Sequence, residues 1–193
     1  MPTGSGKTVV FSEICRLVND KGRKVLILVH RRELVTQASD KLTKAGVEHG
    51  IIAAGFKPSA HSVQIASVQT LARRLRTVSI QPDLIIIDEA HHAVAGQWEK
   101  ILQHFGNARV IGVTATPSRL DGRGLGSHFS TLISGPSVEQ LTKLGFLSPH
   151  TVFAPPVIAD LKGVRTRAGD YASDQLSEAM NRPTITGDAI AHY

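Results

Sequence analysis

Residues 84–91 read Leu84-Ile85-Ile86-Ile87-Asp88-Glu89-Ala90-His91, so a purely aliphatic run leads directly into two carboxylates. An apolar run without polar alternation predicts a strand buried on both faces, as the strands of parallel sheets are. Sheets of this kind bind ligands outside the carboxyl ends of their strands. The run therefore predicts a ligand-binding edge at Asp88 and Glu89, although a solvated strand end is the ordinary setting for such acids.

Similar apolar runs alternate with helical patterns on both sides of this segment. After the run 25–29, for example, Leu34, Ala38 and Leu42 recur every four residues and form one apolar helical stripe. This alternation is typical of a mostly parallel sheet covered by helices on both faces, which predicts the α/β class. The predicted strands are 25–29, 51–54, 63–66, 84–87, 110–113 and 151–154. The predicted helices lie after residue 8 and at about 31–44, 68–76, 98–105, 138–144, 172–180 and 184–192.

Composition limits the class of protein. The 193 residues suffice for one domain of ordinary size. The 22 Lys and Arg outnumber the 16 Asp and Glu, which gives a formal net charge of +6 and mildly favours a polyanionic partner. A single cysteine, Cys15, excludes an internal disulfide framework and a cysteine-based zinc finger. Because no apolar run approaches the roughly 18 residues of a membrane helix, we expect a soluble cytoplasmic protein without a membrane partner.

A second motif lies at the start of the chain. Residues 1–8, Met-Pro-Thr-Gly-Ser-Gly-Lys-Thr, open directly into a helical pattern. Glycines let backbone N–H groups converge on phosphate oxygens, and the N-terminus of a helix adds partial positive charge. In such a loop Lys7 reaches the β- and γ-phosphates and the Thr8 hydroxyl binds Mg²⁺. A glycine turn before an ordinary helix is the alternative, and Met1 stands where the motif has its first glycine. The predicted ATP-binding residues are Thr3, Gly4, Ser5, Gly6, Lys7 and Thr8.

The phosphate loop and the acidic pair together indicate one hydrolytic site, because each supplies a part that the other lacks. Asp88 would hold Mg²⁺, directly or through water, and Glu89 would orient and deprotonate the attacking water. A site for a different metal is the alternative for His91-His92, but neither a cysteine nor an H-x-x-x-H spacing accompanies them. Residues 114–117, Thr-Ala-Thr-Pro, are by themselves a turn signal before proline.

The order of these motifs resembles superfamily 2 helicases and translocases. Residues 4–8, 88–91 and 114–117 look like motifs I, II and III of that superfamily. Residues 29–37 look like motif Ia, and residues 66–71 look like the next nucleic-acid motif. The segments similar to the RadD-like and type III restriction-enzyme helicase branch are 112–125, 165–171 and 181–188.

The resemblance implies a RecA-like P-loop NTPase domain in three layers that binds ATP and Mg²⁺ and couples hydrolysis to movement on DNA, with RNA not excluded. By motif matching, Lys7, Glu89 and His91 would be catalytic. His91 would also link the nucleotide to a partner domain. Thr114 and Thr116 would couple the state of the nucleotide to the nucleic-acid face.

The resemblance also suggests which side chains touch nucleic acid. Arg31 or Arg32 and Thr70 would contact its backbone, which positions a strand without reading its sequence. A cluster of further arginines on the predicted helix 68–76 is explained as well by a solvated helix face: Arg73, Arg74 and Arg76.

The sequence also departs from the family pattern. No strand precedes the phosphate loop, although that strand is central in RecA-like sheets, and motifs IV to VI with their arginine finger are absent. We expect residues 1–155 to form an ATP-binding domain truncated at its N-terminus, and residues 156–193 to lead to a second RecA-like domain. Such a piece of a longer protein would turn over ATP weakly or not at all, and it could self-associate through the gap left by the strand.

Two other functions are alternatives to an ATP-driven motor. The first is a non-catalytic fragment that binds nucleotide or nucleic acid without the second motor domain. The second is a kinase or GTPase, which residues 88–91 disfavour.

Overall fold

The computed structural model describes residues 5–92, 96–116, 124–126, 128–151, 160–167 and 170–181. The chain divides into two compact units, Met1–Leu147 and Ser148–Tyr193. Over the described residues, no helix combines the length and the apolar character that crossing a bilayer requires.

A five-stranded parallel sheet forms the centre of the first unit, which confirms the predicted class. Its order is β2-β3-β1-β4-β5. Residues of the two strands beside β1 are buried almost throughout because helices cover both faces. The strands are β1 (Val25–Val29), β2 (Gly50–Ile52), β3 (Val63–Ser67), β4 (Leu84–Asp88) and β5 (Arg109–Val113).

Helices lie on both faces of this sheet. Alternate strand residues point to opposite sides, so Ile27 and Ile86 pack beneath the first two helices, while Leu28 and Ile87 pack beneath the third and fourth. This arrangement gives the three expected layers. The helices of the first unit are α1 (Lys7–Asn19), α2 (Arg32–Lys44), α3 (Val68–Arg74), α4 (Gln97–His104) and α5 (Val138–Lys143).

The second unit contains a short antiparallel pair, β6 (Thr166–Arg167) and β7 (Asp170–Tyr171), followed by helix α6 (Ser173–Met180). Helix α6 corresponds to the helix predicted at 172–180. The predicted helix 184–192 lies outside the described residues, as does the predicted strand 151–154 apart from its first residue.

The strand register determines which ends come together. In the β4–β5 pair, Asp88 lies opposite Val113. Because the strands are parallel, the residues that follow them, Glu89 and Thr114, emerge side by side at the carboxyl edge of the sheet. The same edge receives the chain after β1 and β3, where α2 and α3 begin.

Candidate active site

Helix α1 begins at the predicted phosphate loop. Its N-cap is Gly6, with φ 78° and ψ 20°, a left-handed conformation that glycine adopts without steric cost. The Val10 N–H donates to the Gly6 carbonyl at 3.1 Å, so the first helical turn closes on the loop. Lys7 is the first helical residue, where backbone N–H groups lack helical acceptors and attract anions. Of the other predicted loop residues, Ser5 is half-buried, while Thr3, Gly4 and the Thr8 side chain lie outside the described part.

Asp88 ends β4 and is half-buried. Burial raises the pKa of its carboxyl above the ordinary value, and the neighbouring Glu89 carboxylate raises it further. The rise is opposed by the Glu89 N–H, which donates to Asp88 Oδ1 at 3.0 Å, and by the positive charges of Lys41 and Lys7. Lys7 and Asp88 are therefore close enough for their charges to interact, although 80 positions separate them in sequence. A half-buried carboxylate of this kind is stabilised in its charged form by a bound cation.

Glu89 has an unusual backbone. Its φ is 52°, and among the described residues it is the only residue other than glycine with a positive φ. The left-handed conformation costs an L-residue about 1–2 kcal/mol. Strain of this kind concentrates at functional sites, where the surrounding structure maintains it. Here it places the Glu89 carboxylate beside His91, with 3.3 Å between Glu89 Oε2 and His91 Nδ1.

A hydrogen-bond network joins His91 to the end of β5. His91 Nδ1 lies 2.8 Å from Thr114 Oγ1. The Thr114 hydroxyl donates to the Thr116 carbonyl at 2.9 Å and accepts from the Thr116 N–H at 3.1 Å. A hydroxyl has one hydrogen, so with that hydrogen on the Thr116 carbonyl the Thr114 oxygen can accept from His91 Nδ1. The network links the residues after β4 to those after β5.

The predicted nucleic-acid contacts lie at the same carboxyl edge. Arg31 and Arg32 are exposed where β1 passes into α2, and Thr70 is half-buried in the first turn of α3. A Cβ built on Gly55 would lie 3.4 Å from Arg32 Nη2, so this guanidinium covers the turn after β2. The three side chains therefore follow β1 and β3, one or two strands away from the acids of β4.

Two residues near the site were missed by the sequence reasoning. Lys41 interacts electrostatically with Asp88, but it belongs to no motif and only the packing of α2 reveals it. Gly112 in β5 allows a close approach, because a Cβ there would lie 2.6 Å from the Phe129 ring and 2.8 Å from Ala90 Cβ. A glycine inside a predicted strand was the available signal for the second residue.

Comparison with known proteins supplies the context of this site. The family described as "Type III restriction enzyme, res subunit" matches residues 1–119. A "51.5 kDa protein" of a Lactococcus phage is 36% identical over 192 residues, which cover 100% of this chain and 39% of the relative. The "Putative ATP-dependent helicase IRC3" of Saccharomyces cerevisiae is 36% identical over 213 residues, covering 100% of this chain and 31% of the relative. The chain thus spans well under half the length of these two relatives.

Solved structures share the fold. The crystal structure of the UvsW helicase from bacteriophage T4 has a TM-score of 0.55 and 20% identity, over 61% of this chain and 45% of that one. The Hef helicase domain of Pyrococcus furiosus has a TM-score of 0.53 and 25% identity, over 75% of this chain and 32% of that one.

Proposed function

Since the chain belongs to the family of type III restriction enzyme res subunits and has the RecA-like ATP-binding domain of a superfamily 2 helicase, we propose that it hydrolyses ATP to drive movement along DNA. The observation that carries the proposal is the convergence of Lys7, Asp88, Glu89 and His91 at one sheet edge. The activity of the whole protein is part of the proposal, because the relatives extend well beyond the matched region.

The residues around Asp88 fit a magnesium ion. Mg²⁺ prefers oxygen ligands and usually takes one or two carboxylates, several waters and the phosphates of the substrate. Asp88 and the Thr8 hydroxyl would hold it, and the ion when bound would neutralise charge on the β- and γ-phosphates. Lys7 would contact the same phosphates, with the first-turn N–H groups of α1 beside it.

Glu89 is suited to accept a proton from the attacking water. Its backbone conformation determines where the side chain leaves the chain, and Oε2 of the carboxylate lies 3.3 Å from His91 Nδ1. A positioned base of this kind contributes about 10²–10⁴-fold to the rate of a proton-transfer step.

His91 and Thr114 are suited to couple the nucleotide to the rest of the domain. A displacement of Glu89 would move His91, and through Thr114 it would move the backbone of Thr116. A second RecA-like domain is the proposed partner. It would supply an arginine that stabilises charge on the transferring phosphoryl group, and such an arginine is worth about 10³–10⁵ in rate.

Nucleotide binding is the first experiment. A fluorescent ATP analogue with Mg²⁺ should bind the chain, and EDTA should weaken that binding. Lys7→Ala should abolish binding, whereas Lys21→Ala, which removes an exposed lysine after α1, should not. Glu89→Gln should retain binding and lower any single-strand-stimulated hydrolysis by at least about 10²-fold. Hydrolysis that exceeds background in the wild type and is equal in Glu89→Gln would exclude the proposed role of this carboxylate.

Self-association through the edge of the sheet is a further proposed partnership. β5 lies at the edge, and its side chains are exposed or half-buried, with Ile111 36% exposed. Edge strands of this kind add strands from other segments or from other copies. Ile111→Lys should shift the chain towards a monomer in gel filtration. An unchanged elution volume together with a monomeric wild type would exclude pairing between copies.

A further inference from the structure

A basic groove lies between α4 and the C-terminal end of α3 with the residues that follow it, outside the site described above. Its volume is about 470 Å³. Arg73 and Arg76 contribute one side of its lining, and Lys100 and His104 contribute the other. We refer to these four residues as the basic groove. The two sides come from segments more than 20 residues apart, so the cluster exists only in the folded chain.

Among the described residues, no acidic side chain pairs with the positive charges of the groove. On two other helices a basic side chain pairs with an acid of its own helix: Arg16 with Glu13 at 2.6 Å and Lys143 with Glu139 at 2.7 Å. Helix α3 contains no acid, and the single acid of α4, Glu99, accepts a hydrogen bond from Gln103. Within the part of the chain that the structure describes, the cations of the basic groove form no ion pair with Asp or Glu.

The location of the groove distinguishes it from the candidate contacts of the motifs. α3 leaves the carboxyl edge at the end of β3, and α4 leads to the start of β5. Their C-terminal halves therefore point to the amino edge, opposite Asp88. Thr70 lies in the first turn of the helix that carries Arg73, and at 1.5 Å per residue the two lie about 4.5 Å apart along its axis. The groove thus continues a surface that starts at the predicted nucleic-acid contacts.

We propose that the basic groove binds the phosphate backbone of single-stranded nucleic acid as a second contact surface of the domain. Residues three or four apart on a helix have Cβ atoms about 5–6 Å apart. Lys100 and His104 therefore present neighbouring hydrogen-bond donors from one helix that can follow successive phosphates. Ala72 and Leu75 also line the groove and offer an apolar surface to sugars. Contacts of this type hold a strand regardless of sequence, and the inference rests on the proposed function in taking nucleic acid as the partner.

The experiment measures the salt dependence of binding to a fluorescein-labelled oligodeoxythymidylate. Each single-strand phosphate contact contributes about 0.7 to the slope of log K against log salt. The triple variant Arg73→Gln, Arg76→Gln, Lys100→Gln should therefore reduce the slope by about 2. Arg74→Gln is the matched control, since it removes an exposed arginine from the same helix that does not line the groove. Thermal melting checks that all variants fold.

Three outcomes separate this inference from the proposed function. If the triple variant has the same salt slope as the Arg74→Gln control, the groove proposal is wrong. If Arg31→Gln combined with Arg32→Gln still lowers the slope, the proposed nucleic-acid contacts at the carboxyl edge remain supported. An absence of oligonucleotide binding by the wild type would overturn both the groove and the nucleic-acid part of the proposed function, while ATP-analogue binding still tests the nucleotide part. If the triple variant lost binding to a polyglutamate peptide but kept binding to the oligonucleotide, the groove would be a site for an acidic protein partner instead.

Discussion

The backbone of Glu89 allows the site to be tested through protein stability. At φ 52° the residue occupies the left-handed region, which costs an L-residue about 1–2 kcal/mol and glycine nothing comparable. Glu89→Gly and Glu89→Ala remove the same carboxylate. The difference between their free energies of unfolding therefore isolates the backbone contribution.

The sign of that difference shows whether residue 89 is strained in the folded protein. At an ordinary position alanine is more stabilising than glycine by about 0.4–1 kcal/mol, because glycine gives the unfolded chain more freedom. At Glu89 the relief of strain exceeds this entropy, so we expect Glu89→Gly to be more stable than Glu89→Ala by about 1 kcal/mol. For a chain of this size that corresponds to about 2–4 °C in Tm. Thermal and urea unfolding followed by circular dichroism measure it.

Glu99 supplies the control for this comparison. It is exposed within α4, where glycine is about 1 kcal/mol less favourable than alanine, so Glu99→Ala should be more stable than Glu99→Gly. The reasoning is refuted if Glu89 and Glu99 show the same order. Both Glu89 variants should bind the ATP analogue without hydrolysing it, because both lack the carboxylate that accepts the proton of the attacking water.

Three further predictions concern the surroundings of the site. Gly112→Ala should lower the free energy of unfolding by about 1–3 kcal/mol, since its Cβ would meet Phe129 and Ala90; an unchanged urea midpoint would contradict the close approach. Thr114→Val should cost about 1 kcal/mol and reduce kcat while leaving the KM for ATP unchanged; an altered KM alone would argue against a coupling role. Burial raises the pKa of the Cys15 thiol to about 12. The native thiol should therefore resist disulfide reagents at about pH 8, and stability should fall as pH rises above about 9; rapid native labelling would contradict this.

The central strands of the sheet could be predicted because they are buried on both faces. Residues 25–29 and 84–87 contain no polar residue, and only a strand covered on both sides requires such a run. The ends of β2 were less predictable. The strand was expected at 51–54 and lies at Gly50–Ile52, since alanines are weak strand formers and Gly55, with φ 87°, already belongs to the turn.

The contacts within the site could not be predicted from the sequence in the same way. The left-handed φ of Glu89 has no counterpart in residue type, because glutamate does not favour that region. The approach of Lys41 to Asp88 depends on how α2 packs, and a lysine on an exposed helix position carries no periodic signal. Sequence order identified which strand ends carry polar groups, whereas the strand pairing decided which of those ends meet.

Thr114 shows why a local pattern can be correct and still incomplete. By itself Thr-Ala-Thr-Pro indicates a turn, and the bonds between Thr114 and Thr116 do form a turn. The same Thr114 oxygen lies 2.8 Å from His91 Nδ1, so the turn also connects the end of β5 to the residues after β4. The pattern Thr-Ala-Thr-Pro predicts only the turn, because the partner of Thr114 lies 23 positions away in sequence and comes close through the pairing of β4 with β5.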